Sequence, residues 1–186
     1  MKRTVPLLFL ISAALTVTAC GDSGKTLDTA QVEKDIQKLA SEGGVATKAE
    51  CPSEVKDIKK GTTYECTITY AGNDSNKQTV QMKVGDNDES EFADETAVQS
   101  EGLIRQIVAQ SDEDPASACD HLSDDVLEQL GGAEECPTQA EQGDDGKPTV
   151  IKSLKVEGDT ATMVTDESTT TFERDEQGGW VATAIE

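Results

Sequence analysis

The chain has 186 residues, a formal net charge of -21 at pH 7 and only six aromatic residues: one Trp, two Tyr and three Phe. This length suits one domain or two small ones, and so acidic a chain is not a nucleic-acid binder, because phosphate binding requires clustered Lys and Arg. A polytopic membrane protein is also excluded, because the sequence has a single long apolar run, which ends by residue 19.

The N-terminal residues 1–19 have the pattern of a signal peptide. Two basic residues, Lys2 and Arg3, precede an apolar stretch that extends from Val5 to Leu15. A bilayer has a hydrocarbon core of about 30 Å and needs about 20 apolar residues to span it, so this stretch is too short. We therefore expect residues 1–19 to direct export and to be removed.

The end of this segment carries a more specific motif. Val-Thr-Ala-Cys at residues 17–20 resembles the bacterial lipobox. The resemblance implies that the Cys20 thiol receives a diacylglyceryl group and that a signal peptidase cuts just before it. It predicts an extracytoplasmic protein anchored to the cell membrane through lipidated Cys20, with residues 20–27 as a lipidated tether. The alternative is an ordinary secretory signal that happens to lie near a cysteine.

Four cysteines remain once Cys20 is assigned to lipid. An exported chain with four cysteines predicts two disulfides, for which three pairings are formally possible. The spacings of 15 and 17 residues favour a bond within each half of the chain, Cys51–Cys66 and Cys119–Cys136. Metal binding by four thiolates is disfavoured, because the chain has no Cys-x-x-Cys pair and the compartment is oxidising. We expect no metal and no cofactor.

Residues 28–85 are predicted to form a helix followed by a three-stranded antiparallel sheet. The helix begins at Asp28 and stops before Gly43 and Gly44. Its apolar face consists of Val32, Ile36, Leu39 and Ala40. The first strand is predicted at residues 45–51. Period-two alternation marks the next two strands, with inward positions at Tyr64, Cys66, Ile68 and Tyr70, and then at Val80, Met82 and Val84.

Two short motifs in this half carry a family resemblance. Cys-Pro-Ser at residues 51–53 is followed by Val55, and Lys-Gly-Thr at residues 60–62 is followed by Cys66. With their flanks, these motifs resemble an actinobacterial exported family, the domain of unknown function 4333, over roughly residues 24–87. The resemblance implies a small secreted or anchored domain with one disulfide. It brings no activity with it.

Residues 86–94 are strongly acidic and are predicted to be a solvated linker. The alternative for Asp86, Asp88 and Glu89 is a calcium loop, but the ligand order and central Gly of an EF-hand are missing. The second half, residues 95–186, is predicted to begin with a helix to about residue 110. Its buried face consists of Ala97, Ser100, Ile104, Ile107 and Val108.

Short helices, a loop and a sheet are expected in the rest of this half. One helix follows Pro115, another is capped by Ser123 and ends at Gly131 and Gly132, and residues 139–148 are predicted to be an acidic loop. The four strands of a meander are predicted at residues 150–157, 160–165, 168–174 and 180–185. Helices followed by a meander indicate an α+β fold, so the whole chain is predicted to be two small α+β domains.

The second half also resembles a known group. The motifs are Ala-Cys-Asp at residues 118–120, Leu-Gly-Gly at 130–132, Cys136, and Gly-Trp-Val at 179–181. They resemble actinobacterial lipoproteins with a nuclear-transport-factor-2-like, cystatin-like fold, over roughly residues 95–186. The resemblance implies a cone in which a curved sheet wraps a long helix. Such cones enclose a pocket that binds a small apolar ligand or, in some relatives, performs proton transfer.

The residues favour a binding module over an enzyme. The single histidine, His121, lies two residues from Cys119, which allows a Cys–His nucleophile pair, but a disulfide explains Cys119 better. Trp180 is expected to close the core or the cone, and any pocket is expected to have apolar walls. We predict a non-enzymatic module that binds an envelope protein or an apolar small molecule, with no nucleic acid. The alternative is a hydrolase or isomerase that uses a pocket in the second half.

Overall fold

The computed structural model describes residues 25–42, 46–70, 74–143 and 146–186, without the side chains of residues 39–42, 46, 47 and 87. Helices and antiparallel sheets are mixed along the chain, which confirms the predicted α+β class. Cys20 and residues 1–19 lie outside the described residues, as do Gly43 and Gly44.

The first half consists of one α-helix, a short 3-10 segment at Asp86–Asp88 and two antiparallel sheets. The four-stranded sheet has the order β2-β4-β5-β6, and the two-stranded sheet pairs β1 with β3. The elements are β1 (Leu27–Asp28), α1 (Ala30–Glu42), β2 (Ala46–Glu50), β3 (Glu54–Val55), β4 (Thr63–Tyr70), β5 (Lys77–Val84) and β6 (Ser90–Phe92).

The core of this half follows the predicted alternation. The inward positions of β4 and β5 are all buried, because successive strand side chains point to opposite faces and one face is covered by α1 together with the helix at Glu95–Glu113. On α1, Val32 and Ile36 are buried in the same cluster. The disulfide Cys51–Cys66 joins the end of β2 to β4, with the partners predicted from spacing.

The predicted linker at residues 86–94 is corrected by the structure. Its residues Ser90–Phe92 form β6, which pairs with β5 so that Phe92 stands opposite Met82, making four strands where three were predicted. Phe92 is the one large apolar residue of the segment and packs against the first core. Acidic composition concealed this strand, since its one exposed residue is Glu91 and acidic residues precede and follow it.

The end of the predicted tether, residues 20–27, is also corrected. Leu27 is only 2% exposed and belongs to the first core, where β1 pairs with β3 in the register Leu27 opposite Val55. The residue is apolar and stands directly before α1, so it packs beneath that helix instead of extending into solvent.

The second half consists of four helical segments and a meander. The sheet has the order β10-β9-β8-β7, with every neighbouring pair antiparallel. The elements are α2 (Glu95–Glu113), a 3-10 segment (Pro115–His121), α3 (Asp124–Gln129), α4 (Cys136–Gly143), β7 (Ser153–Glu157), β8 (Thr160–Val164), β9 (Thr169–Arg174) and β10 (Trp180–Ile185).

Local chemistry accounts for the helix ends in this half. The Asp94 carboxylate accepts a hydrogen bond from the Ala97 amide, and the Ser123 hydroxyl accepts one from the Val126 amide, so both helices α2 and α3 are capped. Gly131 and Gly132 follow α3 with φ of 85° and 95°, a conformation that glycine adopts without strain. The predicted loop from residue 139 is corrected, because α4 continues to Gly143. The disulfide Cys119–Cys136 joins the 3-10 segment to the start of α4.

Helix α2 packs on both sheets. Near its start, Val98 contacts the first core, whereas Ile104 and Val108 belong to the second core with Phe172 and Trp180. This placement fixes the C-terminal half of α2 over the meander. The domain boundaries at residues 85 and 95 stay a prediction.

Candidate functional site

A pocket of about 370 Å³ lies in the second half, between the end of α2, the 3-10 segment and one face of the meander. Its volume falls at the lower end of the range of roughly 300–1,000 Å³ that is usual for small-molecule sites. Its lining residues are Ile107, Val108, Ser111, Ala118, His121, Leu122, Lys147, Pro148, Thr149, Val150, Met163, Thr165, Asp166, Glu167, Ser168, Thr170, Phe172, Ala182 and Ile185.

The floor of the pocket is apolar. It is formed by Met163 on β8, Phe172 on β9 and Ala182 on β10, each at most 6% exposed. Phe172 stands opposite Ala182 in the β9–β10 pair, so these two side chains share one face of the sheet. Ile107 and Val108 on α2 face them. A hydrocarbon group that binds here is transferred from water to an apolar surface, which is favourable.

The mouth of the pocket carries exposed apolar side chains. Among the described residues, the large hydrophobic residues that remain exposed are Leu103, Val150 and Ile185, and the last two line the pocket. Val150 is 42% exposed and Ile185 is 51% exposed. Two of the three exposed large hydrophobic residues therefore meet at one opening, which extends the apolar surface of the floor outward.

The polar residues of the pocket fall into two groups. Some are already engaged: the Thr149 hydroxyl donates to the Asp112 carboxylate at 2.7 Å, and Thr165 accepts from the Ser168 amide at 3.0 Å. In contrast, the side chains of His121 and Thr170 have no hydrogen-bond partner within the described part of the chain. A ligand in the pocket meets these two groups with their hydrogen-bonding capacity available.

The carboxylates of the pocket lie at its outer edge. Asp166 and Glu167 belong to the turn between β8 and β9, and both are exposed. Asp166 forms an ion pair with Lys152. An exposed, solvated carboxylate lacks the burial that raises a pKa toward the range useful for general acid catalysis.

Trp180, proposed from sequence as a core or cone-closing residue, does not line the pocket. It is 2% exposed and lies in the second core, with the Arg174 guanidinium 4.6 Å from its ring centroid. That guanidinium also donates to the Ser100 hydroxyl of α2 at 2.6 Å. Trp180 and Arg174 thus fix α2 to the meander, and the lining residues Thr170 and Phe172 were missed, although their alternation in β9 was visible.

The four disulfide cysteines have different relations to the pocket. Cys119 lies in the 3-10 segment between the lining residues Ala118 and His121, and its bond to Cys136 holds that wall. The bond also leaves no Cys119 thiol to act as a nucleophile beside His121. Cys51 and Cys66 belong to the first half and do not line the pocket.

Buried polar groups fix α2 on the first sheet. Arg105 is 6% exposed, and its guanidinium donates to the Glu101 carboxylate at 2.7 Å and to the Asn76 side-chain oxygen at 3.2 Å. The Asn76 amide in turn donates to the Arg105 carbonyl at 3.2 Å. Since both partners are satisfied, this buried charge holds a defined arrangement of helix and sheet.

A second set of polar contacts lies nearer the start of α2. The Tyr70 hydroxyl donates to the Gln78 side-chain oxygen at 2.6 Å, and the Gln78 amide donates to the Val98 carbonyl at 3.2 Å. Burial raises the pKa of Tyr70 well above its ordinary value. Gly102 gives the hydroxyl its space, because a Cβ at this position would lie 2.8 Å from the Tyr70 oxygen.

No group of three or more His, Cys, Asp or Glu side chains that could hold a metal ion occurs within the described residues. In the acidic segment weighed as a calcium loop, Asp86 pairs with Lys60 at 2.8 Å and Asp88 pairs with Lys25 at 2.8 Å. In the same part of the chain, none of the helices combines the length and the apolar character needed to cross a membrane.

Comparison with known proteins gives one match. Residues 11–89 match the sequence model of a domain of unknown function, DUF4333, which confirms the resemblance predicted for the first half. No curated protein and no solved structure matches the chain. The resemblance of residues 95–186 to cystatin-like lipoproteins stays a prediction.

Proposed function

We propose that this is a lipid-anchored cell-surface protein that binds a small apolar molecule in the pocket of its second half and catalyses no reaction. The observation that carries the proposal is the apolar floor of Met163, Phe172 and Ala182 beneath a mouth with exposed Val150 and Ile185. Exposed apolar side chains gathered at one opening are typical of ligand-binding sites.

The proposal places the protein on the extracytoplasmic face of the cell membrane. It rests on the lipobox-like residues 17–20 and on two disulfides, which are typical of exported chains. The high negative charge is compatible with this placement. An anionic bilayer repels the acidic folded domains, so they stay away from the lipid surface at a distance that the tether allows. Cystatin-like lipoproteins of actinobacteria remain the proposed relatives of the second half.

Two experiments test the proposal. Cys20→Ala should move the protein from the membrane fraction to the soluble fraction and abolish labelling by a fatty-acid analogue; continued anchoring would contradict the lipid assignment. For the pocket, the native protein should carry apolar small molecules when it is extracted and analysed by mass spectrometry. Ala182→Leu, which fills the pocket, should remove them, while the exposed control Thr162→Leu on β8 should not.

A hydrolase or isomerase is the second candidate, and the position of His121 on the pocket wall favours it. A histidine that acts as a base needs a positioned partner. The lining carboxylates Asp166 and Glu167 are exposed at the turn, which supports binding over catalysis. Turnover of ester or enone substrates that His121→Phe abolishes would establish the second candidate instead.

A further inference from the structure

The pocket combines two kinds of surface, and their arrangement restricts the ligand. The apolar floor takes a hydrocarbon group, while Thr170 and His121 lie on the wall without side-chain partners in the described part of the chain. Thr170 is 6% exposed as a residue, and its hydroxyl lies on the pocket wall beside the apolar floor. A ligand that fills the pocket covers this hydroxyl and displaces water from it, so a ligand that offers a hydrogen bond avoids the penalty of leaving the hydroxyl unpaired.

The hydrogen-bonding chemistry of these residues suits an uncharged head group. A threonine hydroxyl donates one hydrogen bond and accepts others, and a neutral imidazole offers one donor and one acceptor. A hydroxyl or carbonyl group on the ligand can satisfy both residues. A charged head group at Thr170 would lose its hydration without meeting an opposite charge there.

Charge at the mouth disfavours an anion further. The lining residues include one lysine, Lys147, and two carboxylates, Asp166 and Glu167, which sum to -1 with His121 neutral. The chain as a whole carries -21. An anionic ligand therefore approaches against a repulsive field at every distance within the screening length.

We infer that the pocket takes an uncharged amphiphile, with a hydrocarbon body on the Phe172 floor and a hydroxyl or carbonyl head anchored by Thr170 and His121. This inference rests on the proposed binding function and narrows its ligand class. It assigns the two residues as specificity determinants, since they separate an alcohol or an ester from a fatty acid of equal chain length.

Calorimetry on the full chain at pH 8 tests the inference with three probes of equal length: 1-octanol, octanoate and octylammonium. We expect 1-octanol to bind at least tenfold more tightly than either charged probe. If none of the three binds, the proposed function itself fails. If a charged probe binds as tightly as 1-octanol, binding stands but the inference is overturned.

Two variants test the anchoring residues. Thr170→Val keeps the shape of the side chain, His121→Phe keeps an aromatic ring, and each should weaken 1-octanol binding about fivefold by removing one hydrogen bond. Thr162→Val, at an exposed threonine of β8, is the matched control and should leave affinity unchanged. Unfolding curves verify that the variants fold. Unchanged 1-octanol affinity in both folded pocket variants would refute the anchoring role.

Discussion

The two halves of the chain use the same components but fill their interiors differently. Each has a disulfide and a helix packed on a four-stranded antiparallel sheet. Among the described residues, the first core contains twelve buried hydrophobic residues, including both tyrosines of the chain, whereas the second contains seven and borders the pocket. Space for a ligand therefore arises where the sheet carries a small side chain, Ala182, on the face that lines the pocket.

The polar groups differ in the same way. In the first half, the buried side chains of Asn76 and Gln78 find partners on α2. In the second half, Thr170 and His121 have no such partner in the described structure. The buried side-chain amides of Asn76 and Gln78 are thus satisfied within the fold, whereas the pocket leaves the side chains of Thr170 and His121 open to a ligand.

Removal of a disulfide should have the largest effect on stability, and its effect on ligand binding should differ between the two halves. Replacement of Cys119 and Cys136 together by alanine should lower the free energy of unfolding by about 3 kcal/mol, and replacement of Cys51 and Cys66 should have a similar effect. Only the Cys119–Cys136 bond holds a pocket wall, so only the loss of this bond should weaken 1-octanol binding. Chemical denaturation and calorimetry measure the two effects, and equal loss of binding in both double variants would contradict the separation.

The contact between α2 and the first sheet should be broken by Gly102→Ala. In most helix interiors this change stabilises by about 1 kcal/mol. Here the new Cβ meets the Tyr70 oxygen, which is buried and bonded to Gln78, so we expect a loss of about 2 kcal/mol in thermal unfolding. In a Tyr70→Phe background the penalty should shrink, and a full penalty there would show that the hydroxyl is not its cause.

Alkaline pH should lower the free energy of unfolding through the two tyrosines, both of which lie in the first half. Burial raises the pKa values of Tyr70 and Tyr64 in the folded state, so the unfolded chain loses its phenolic protons first as pH increases. The stability from Tyr70 is thus complete below pH 10 and declines above it by about 1.4 kcal/mol per pH unit until its folded-state pKa is reached, and Tyr64 adds to the decline in the same direction. Denaturation between pH 9 and 11 measures this decline. Tyr70→Phe should make it shallower, and an unchanged slope would contradict the assignment.

Enlarging core side chains should give the smallest effects. Val80→Leu in the first core should lower the free energy of unfolding by about 1 kcal/mol, because Val80 is 1% exposed and a larger side chain must displace its packed neighbours. Ala182→Val should change it by less than about 0.5 kcal/mol, since the added methyl groups enter the pocket. If both changes were equally destabilising in urea, the second interior would be as closed as the first.

Local patterns predicted much of this fold. The alternation of Tyr64, Cys66, Ile68 and Tyr70 gave the correct buried face of β4, because a strand has a period of two residues that any single segment displays. The spacing of the cysteines gave the disulfide partners seen in the structure. These features depend on neighbours in sequence and can be read from it.

Features that depend on distant partners were not predictable in the same way. Arg105 is buried because Asn76 and Glu101 surround it, and nothing in its own segment indicates that. The strand β6 was concealed by acidic residues. The pocket is the space between α2 and the meander. It depends on how far apart these elements pack, which no single residue indicates. The sequence identifies His121 as a candidate functional residue, but it does not indicate that His121 lies on a pocket wall.

The position of α2 across both sheets has a consequence for the order in which the protein is made. Synthesis proceeds from the N-terminus, so residues 27–92 emerge before α2, which covers part of their sheet. Until about twenty further residues follow, the side-chain amides of Asn76 and Gln78 face water, and part of the inner face of β4 and β5 lacks its cover. The core of the first half is therefore complete only after α2 has been synthesised, and α2 is also the helix that lines the pocket.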